Sequence, residues 1–278
     1  MRQKELMIYR NMEDGELLRD MAWLMSCYNM QPLRQEDMPF SQGREKPGDR
    51  EGMRELFYDC IHRLIELAGR YGFHGNLWHC YLTNLLVNNE NSYSCGCEIR
   101  GEIEGTINDA ALHDIVIFKE FFDYDFTAMG VVLDVKEFSM IQNYVSSSRE
   151  SKVYNTRICT RICELAEKFC QDNTPEEMKA TLTDFYREYG VGKLGLHKSF
   201  RVSHDENGVH IDPILNITHV TLDELVGYEI PKKKLTDNTD AFVAGRQTTA
   251  CCSGMPGRGN PPVSKPLPTN IMEKASAL

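Results

Sequence analysis

The sequence lacks an excess of basic residues. Its 31 lysines and arginines are outnumbered by 41 aspartates and glutamates, which gives a net charge of −10 at pH 7. The only dense basic cluster is Lys232-Lys233-Lys234. Because surfaces that bind nucleic acids usually carry a basic patch or stripe, we expect no nucleic-acid partner.

Long apolar runs are missing as well. None approaches the roughly 20 residues that a membrane-spanning helix needs, and residues 1–5 lack the apolar core of a secretory signal. We therefore expect a cytoplasmic protein with no membrane partner.

The chain has 10 cysteines, but it has few cysteine pairs at the spacing typical of zinc sites. Cys95-Gly96-Cys97 has no second pair at the usual separation, so we expect no metal there. Cys159 and Cys163 lie four apart on a predicted helix, with Cys170 near the same face. Buried core thiols are favoured over metal ligands, because free cysteine is among the most buried residue types. Without a signal peptide, free thiols in a reducing compartment are expected.

Catalytic constellations are also missing. The 8 histidines are scattered, and no Ser/His/Asp set or carboxylate pair forms a recognisable motif. His74 and His79 are five apart around Trp78, a spacing that does not place both on one helix face. His197 beside Lys198 could contact an anion, although a hydrogen-bonded structural histidine is the commoner case. We predict no catalytic residue in this chain.

Helical periodicity dominates residues 1–190. Apolar residues recur at the i, i+3/i+4 spacing of amphipathic helices in segments 17–25, 53–67, 78–86, 107–122 and 158–169. Thr174-Pro175-Glu176-Glu177 combines Thr at N-cap, Pro at N1 and Glu at N3, a capping box that opens one more helix, ending near Tyr189. The polar, proline-bearing stretch 31–50 is predicted to be a loop.

The pattern changes after Gly190. Residues 200–203 and 209–211 alternate around Asn207-Gly208, which predicts a small β-hairpin. A helix of about 230–243 comes next, closed by Gly245 as C′ residue. We predict a helical N-terminal domain over 1–195, then the hairpin and a further segment with its helix over 196–247.

The stretch Gly190-Val191-Gly192-Lys193-Leu194-Gly195 matches the G-x-G-x-x-G of dinucleotide-binding folds. It follows a predicted helix instead of a strand, and no βαβ pattern surrounds it. We interpret it as a glycine-rich connection from helix to hairpin, where positive φ angles are needed. A nicotinamide-dependent enzyme is the disfavoured alternative.

The last segment, 248–278, holds five of the 11 prolines and no periodicity, and we predict that it is disordered. A shifted reading frame explains this composition. If every codon of the tail is read one base earlier, the possible codons can also encode N-N-C-L-L-F-G-D-A-G-T-G-K-S-T-C-I-K-A-I-A-N-E-Y-Y. Alanine is forced in place of Pro256, because the single codon of Met255 ends in G. Glycine in place of Gly257 and Gly259 is only permitted.

The shifted frame contains a short apolar strand, then G-x-x-x-x-G-K-S, then a helix-forming run, in the order of a P-loop. In such a loop, backbone N–H groups and a helix N-terminus bind the phosphates. The lysine contacts the β/γ-phosphates, and the serine hydroxyl binds Mg²⁺. Loss of one A from an Asn-Asn codon pair after Gln247 would generate Thr248-Thr249 and the rest of the tail. We predict such a frameshift, against the alternative of a natural Pro/Gly-rich linker.

Just before this tail lie the stretches 222–230 (LDELVGYEI), 232–239 (KKKLTDNT) and 242–246 (FVAGR). They resemble the opening segment of AAA-type ATPase domains. Further upstream, the stretches 75–79 (GNLWH), 98–101 (EIRG) and 190–200 are similar to the N-terminal region of a bacterial family of AAA-type ATPases that carries a domain of unknown function. The resemblance covers nearly all of residues 1–247.

The resemblance implies a parent protein that is an ATP-binding, Mg²⁺-dependent ATPase, whose hydrolysis depends on the P-loop and a downstream acidic strand end. It places Val226, Gly227 and Tyr228 against the adenine. The implied fold class is a mainly α N-terminal region with a small β-hairpin, then the first segment of a truncated α/β AAA-type P-loop domain, then the disordered tail. Since AAA-type ATPases commonly form rings, a homo-oligomer is implied for the parent only.

The chain as written has no P-loop lysine, no Mg²⁺-binding hydroxyl after it, no acidic Mg²⁺ residue and no core sheet. We therefore predict that it neither hydrolyses ATP nor binds it appreciably, and that ATP and Mg²⁺ are cofactors of the parent alone. An alternative of a different class is that residues 1–220 form a non-catalytic helical module that binds an unidentified protein partner.

Overall fold

The computed structural model describes residues 2–29, 50–146, 151, 153–197, 200–205, 208–214, 227–244 and 246. Several sequence predictions lie outside these residues. They are the loop before Arg50, the adenine-side Val226, the helix-closing Gly245 and the tail 248–278.

In the described residues the fold is mainly helical with one small antiparallel hairpin, which confirms the coarse fold prediction. A 3-10 turn, Gln3–Glu5, comes first. The helices are α1 (Gly15–Asn29), α2 (Arg50–Tyr71), α3 (Leu77–Asn88), α4 (Ser92–Arg100), α5 (Ile107–Phe122), α6 (Thr127–Leu133), α7 (Phe138–Gln142), α8 (Thr156–Gln171), α9 (Pro175–Tyr189), α10 (Gly192–Leu196) and α11 (Glu229–Val243). The strands are β1 (Phe200–Asp205) and β2 (Gly208–Pro213).

Every segment with strong helical periodicity is a helix, and α5 has the bounds that its apolar pattern predicts. The capping box at the start of α9 is confirmed. Thr174 Oγ1 accepts the Glu177 N–H at 3.2 Å, and Glu177 Oε2 accepts the Thr174 N–H at 3.3 Å. These two bonds satisfy amide donors that have no partner inside the helix.

Helices α4, α6, α7 and α10 were not predicted individually. Helix α4 illustrates why, because Gly96 in its interior interrupts the apolar pattern. A Cβ at Gly96 would lie 3.1 Å from Ile103 Cδ1, so the glycine admits a close neighbour. The Asn91 side chain begins this helix by accepting the N–H groups of Tyr93 and Ser94.

Helix α3 is the centre of the core. Almost all of it is buried, and it packs against α2, α5, α7, α8 and α10. A helix that is apolar on all sides belongs in an interior. Its Trp78 is buried, and Nε1 donates to the Phe121 carbonyl at 2.9 Å. Across the described ranges, no helix combines the length and the apolar composition that a bilayer span requires.

The N-terminal segment is fixed to the core by one buried carboxylate. Asp114 of α5 is fully buried and accepts the backbone N–H groups of Met7, Ile8 and Tyr9 at 2.7–3.1 Å. The Tyr9 hydroxyl lies 3.0 Å from that of Tyr186. Because Asp114 satisfies three donors at once, the segment before α1 is part of the folded core and not an appended arm.

The contacts divide the chain into two compact units, Met1–Leu196 and His197–Leu278. In the second unit, β1 and β2 pair from Phe200 with Pro213 to Asp205 with Gly208, so the predicted hairpin is confirmed. Among the residues of this unit whose side chains the structure describes, every apolar one is exposed or half-buried. These side chains form no buried apolar core, in contrast to those of the first unit.

Candidate functional site

The predicted adenine-side residues lie at the start of α11. Val226 falls outside the described residues, so its placement is not tested. Gly227 and Tyr228 immediately precede the first residue of the helix, Glu229, and both are exposed. The Tyr228 side chain is 65 % exposed and that of Ile230 is 72 % exposed. Two large apolar side chains thus face solvent at one helix N-terminus.

The backbone there is unusual. Gly227 has φ +80° and Tyr228 has φ +62°, and the Tyr228 carbonyl accepts the Lys232 N–H at 2.9 Å. A positive φ is ordinary for glycine but costs an aromatic residue on the order of 1 kcal/mol or more. Such a conformation usually persists where neighbouring structure or a ligand requires it, and this marks Gly227-Tyr228 as a candidate contact segment.

The G-x-G-x-x-G stretch has a structural role that its spacing alone does not reveal. Gly190 ends α9 with φ +80°, and Gly192 begins the short helix α10 with φ +66°. A Cβ on Gly190 would lie 2.6 Å from the Gly195 Cα and 2.8 Å from Glu98 Oε1. The first and last glycines therefore pack backbone against backbone beside a carboxylate.

This packing argues against the nicotinamide alternative. Dinucleotide-binding glycines lie between a parallel strand and a helix, whereas Gly190 follows a helix here. Within the described residues, the two strands are antiparallel partners of one another. The predicted glycine-rich connection is correct in position, although it contains the helical turn α10, which the glycine content concealed.

Histidines and cysteines meet where α3 packs against α8. His74, before α3, places Nδ1 3.7 Å from Cys163 Sγ, and His79, inside α3, places Nδ1 3.0 Å from Cys170 Sγ. The two histidines are indeed not on one helix face, but both reach α8. Sequence spacing within α3 could not show this, because the partners are about 90 residues away along the chain.

The thiols of Cys80, Cys159 and Cys163 form one buried group. The Cys159 and Cys80 thiols beside Cys163 lower its pKa below the usual range. Their contact with Cys163, together with burial, raises the pKa values of Cys80 and Cys159. The Cys159 thiol also donates to the Gly72 carbonyl at 2.7 Å. The expected burial of Cys159 and Cys163 is confirmed.

The neighbouring pair of Cys170 and His79 has different chemistry. The His79 ring is fixed from its other side, where Nε2 lies 3.0 Å from the Phe122 carbonyl. Nε2–H therefore donates to that carbonyl, and Nδ1 accepts the Cys170 thiol. The partial loss of water around the Cys170 thiol, which lies against His79 although the residue as a whole is exposed, raises the pKa of Cys170, and burial lowers the pKa of His79. Both groups stay neutral near pH 7, so the pair does not form a thiolate–imidazolium nucleophile.

The expectation that Cys170 is buried with the other two is wrong, because this residue is exposed near the last turn of α8. Cys97 is buried and Cys95 is half-buried. His197 is buried, and its ring lies 6.2 Å from that of Phe200. These positions are those of ordinary structural side chains.

Comparison of the chain with protein-family models, with curated proteins and with solved structures gives no match. The ATPase resemblance stays a prediction that rests on the sequence stretches 75–79, 98–101, 190–200 and 222–246.

Proposed function

We propose that residues 1–247 are the N-terminal part of an AAA-type ATP-binding protein whose P-loop is encoded in the neighbouring reading frame. The observation that carries this proposal is the order of parts in that frame. An apolar strand, G-x-x-x-x-G-K-S and a helix-forming run come directly after the AAA-like opening segment. The chain as written is then a fragment that lacks the ATP-hydrolysing P-loop domain.

The geometry at α11 supports the proposal. In the parent, Gly227 and the Tyr228 ring would lie against the adenine, and the P-loop sheet would cover Ile230 beside them. In this chain Tyr228 and Ile230 are exposed. This is the arrangement that the proposal predicts for a segment separated from the sheet and from the nucleotide.

The residues present do not fit a complete nucleotide. The adenine side is represented by Val226, Gly227 and Tyr228, but the chain has no P-loop to bind the phosphates and Mg²⁺. Contacts to the phosphates supply most of the affinity of P-loop proteins for ATP. No catalytic step is therefore assigned to this polypeptide.

A second candidate function is a helical module that binds a protein partner without nucleotide. The first unit, Met1–Leu196, favours it, because this unit has one contiguous apolar core of its own. Such a unit can fold and present a surface whether or not an ATPase domain is attached to it. The two candidates differ in what lies after Gln247, and nucleotide binding separates them.

The test is a calorimetric titration with ATP and Mg²⁺ of two chains, the one as written and one with the reading frame restored. We expect no binding to the first and micromolar binding to the second. In the restored chain, Tyr228→Ala should weaken binding by about tenfold, since stacking of an aromatic ring on a base contributes about 1–3 kcal/mol.

Replacing the lysine of the restored G-K-S should remove most of the binding, and Tyr189→Phe, on α9, serves as the matched control with unchanged affinity. A restored, folded chain that binds no ATP would favour the interaction module. Micromolar binding by the chain as written would show that the P-loop is not needed and would refute the proposal.

A further inference from the structure

Three potential metal ligands converge between the loop before α3 and α8, and a fourth lies beside them on α3. The ligand atoms of His74, Cys159 and Cys163 all lie within 4.8 Å of one another. Cys80 Sγ lies 3.7 Å from Cys163 Sγ but is not within 4.8 Å of all three. Cys163 is the centre of the group, since it also lies 3.7 Å from His74 Nδ1.

Two of these separations, both at Cys163, match the edges of a tetrahedral zinc site. Zinc binds thiolate sulfur at about 2.3 Å and imidazole nitrogen at about 2.0–2.1 Å. Tetrahedral angles then place two sulfurs about 3.8 Å apart and a sulfur and a nitrogen about 3.6 Å apart. The two 3.7 Å distances at Cys163 agree with these values, and rotation of the Cys80 side chain would bring its sulfur to an ion held by the other three ligands.

The local structure holds the ligands in place. Cys159 and Cys163 are one turn apart on α8 and therefore share a face. The loop carrying His74 is shaped by Gly72 at φ +81° and Gly75 at φ +78°, and Gly75 exchanges backbone hydrogen bonds with Tyr144 at 2.9 Å. The ligands come from two rigid helices and a loop that is pinned to the fold.

Access and burial also suit a metal. The three thiols are buried, whereas His74 is exposed and forms the solvent side of the group. Cys159 Sγ donates to the Gly72 carbonyl at 2.7 Å and Cys80 Sγ to the His74 carbonyl at 3.4 Å, and both bonds are given up when the thiols lose their protons to bind a metal. An ion can enter past His74 and bind sulfurs that are shielded from water.

We propose that His74, Cys80, Cys159 and Cys163 form a Cys₃His site for a zinc ion that joins α3 to α8. On binding, the thiols that still carry protons release them to solvent, and no oxidation or reduction occurs. Three sulfur ligands exclude Mg²⁺, which prefers oxygen. The site is therefore separate from the Mg²⁺ of the proposed ATPase and does not depend on that proposal.

The test uses the full chain, purified under reducing conditions without added chelator. Zinc is measured by inductively coupled plasma mass spectrometry, and we expect an amount equimolar with protein. After zinc is replaced by Co²⁺, we expect a sulfur-to-cobalt charge-transfer band and the visible bands of tetrahedral cobalt. The number of thiolates that react with a thiol reagent should fall when zinc is present.

The key variant is His74→Ala, because His74 is exposed and its loss should leave the helical circular dichroism intact. It should lose most of its zinc on dialysis against a weak chelator, while His74→Cys should keep it. The control is Cys170→Ser, which removes a thiol on the same helix outside the group and should retain equimolar zinc. Cys163→Ser adds a direct test of the central ligand.

A wild-type chain that is folded yet gives no cobalt–sulfur band would overturn the proposal. Equal zinc loss from the His74→Ala and Cys170→Ser variants would also overturn it, because it would indicate unspecific thiol binding. A Cys80–Cys163 disulfide in a non-reducing peptide map of the native chain would do the same, since those sulfurs would not be available to a metal.

Discussion

Asp114→Ala should lower the free energy of unfolding by about 4 kcal/mol. The substitution removes the acceptor of three backbone N–H groups, from Met7, Ile8 and Tyr9, at a site where the side chain is fully buried. An unsatisfied buried donor costs about 1–3 kcal/mol, and hydrogen bonds to a charged acceptor are the stronger kind. The N-terminal segment should detach from α5.

Urea denaturation followed by circular dichroism measures this loss. The matched control is Asp109→Ala, which removes an exposed carboxylate from the first turn of the same helix. It should cost less than about 1 kcal/mol, the typical value for a charge near a helix N-terminus. Faster proteolysis before α1 in the Asp114→Ala chain alone would accompany the loss. Equal stabilities of the two variants would contradict the role assigned to Asp114.

Gly190→Ala should destabilise the fold by on the order of 3 kcal/mol. Gly190 has φ +80° and ψ −176°, a region that residues with a Cβ rarely adopt. The added Cβ would also lie 2.6 Å from the Gly195 Cα, which is backbone and cannot rotate away. Backbone strain and overpacking act together here.

The control for this substitution is Gly69→Ala. Gly69 lies on the exposed side of α2, and nothing approaches the position of its added Cβ within 4 Å. Alanine in a helix is favoured over glycine by about 0.5–1 kcal/mol, so this variant should be more stable than the wild type. Thermal denaturation of both proteins should give shifts of opposite sign. A neutral Gly190→Ala would show that the glycine motif is not required for packing.

The sequence predicts those parts of the fold that depend on local patterns. Helices α2, α5 and α8 are indicated by apolar spacing, and the start of α9 is indicated by the Thr174 capping box. The hairpin is indicated by alternation around an Asn-Gly pair. Each of these signals lies within a few neighbouring residues, so no knowledge of the tertiary fold is needed to detect them.

The features that were missed depend on residues far apart in the sequence. Asp114 and Met7 are 107 positions apart, and His74 and Cys163 are 89 apart. No periodicity connects such partners, because only the packing of α3 and α5 with other helices brings them together. The glycine stretch at Gly190 was correctly separated from a nucleotide fold by context, but its close approach to Glu98 could be found only in three dimensions.

The candidate nucleotide segment is a mixed case. The resemblance selects Gly227 and Tyr228, but it does not predict that both have a positive φ angle. Glycine predicts such an angle, but tyrosine does not. Tyr228 and Ile230 are exposed, and the amino-acid sequence predicts a sheet after α11 only through a second reading frame.

The central claim, that a P-loop lies after residue 247 in another frame, is tested most directly by the nucleotide sequence of the coding DNA. The motif G-x-x-x-x-G-K-S requires four bases that the protein sequence does not specify. The codons of Ser253 and Arg258 must end in G, that of Gly259 in A and that of Asn260 in T. We predict these four bases. Any other base at one of these positions removes a glycine, the lysine or the serine, and would contradict the account.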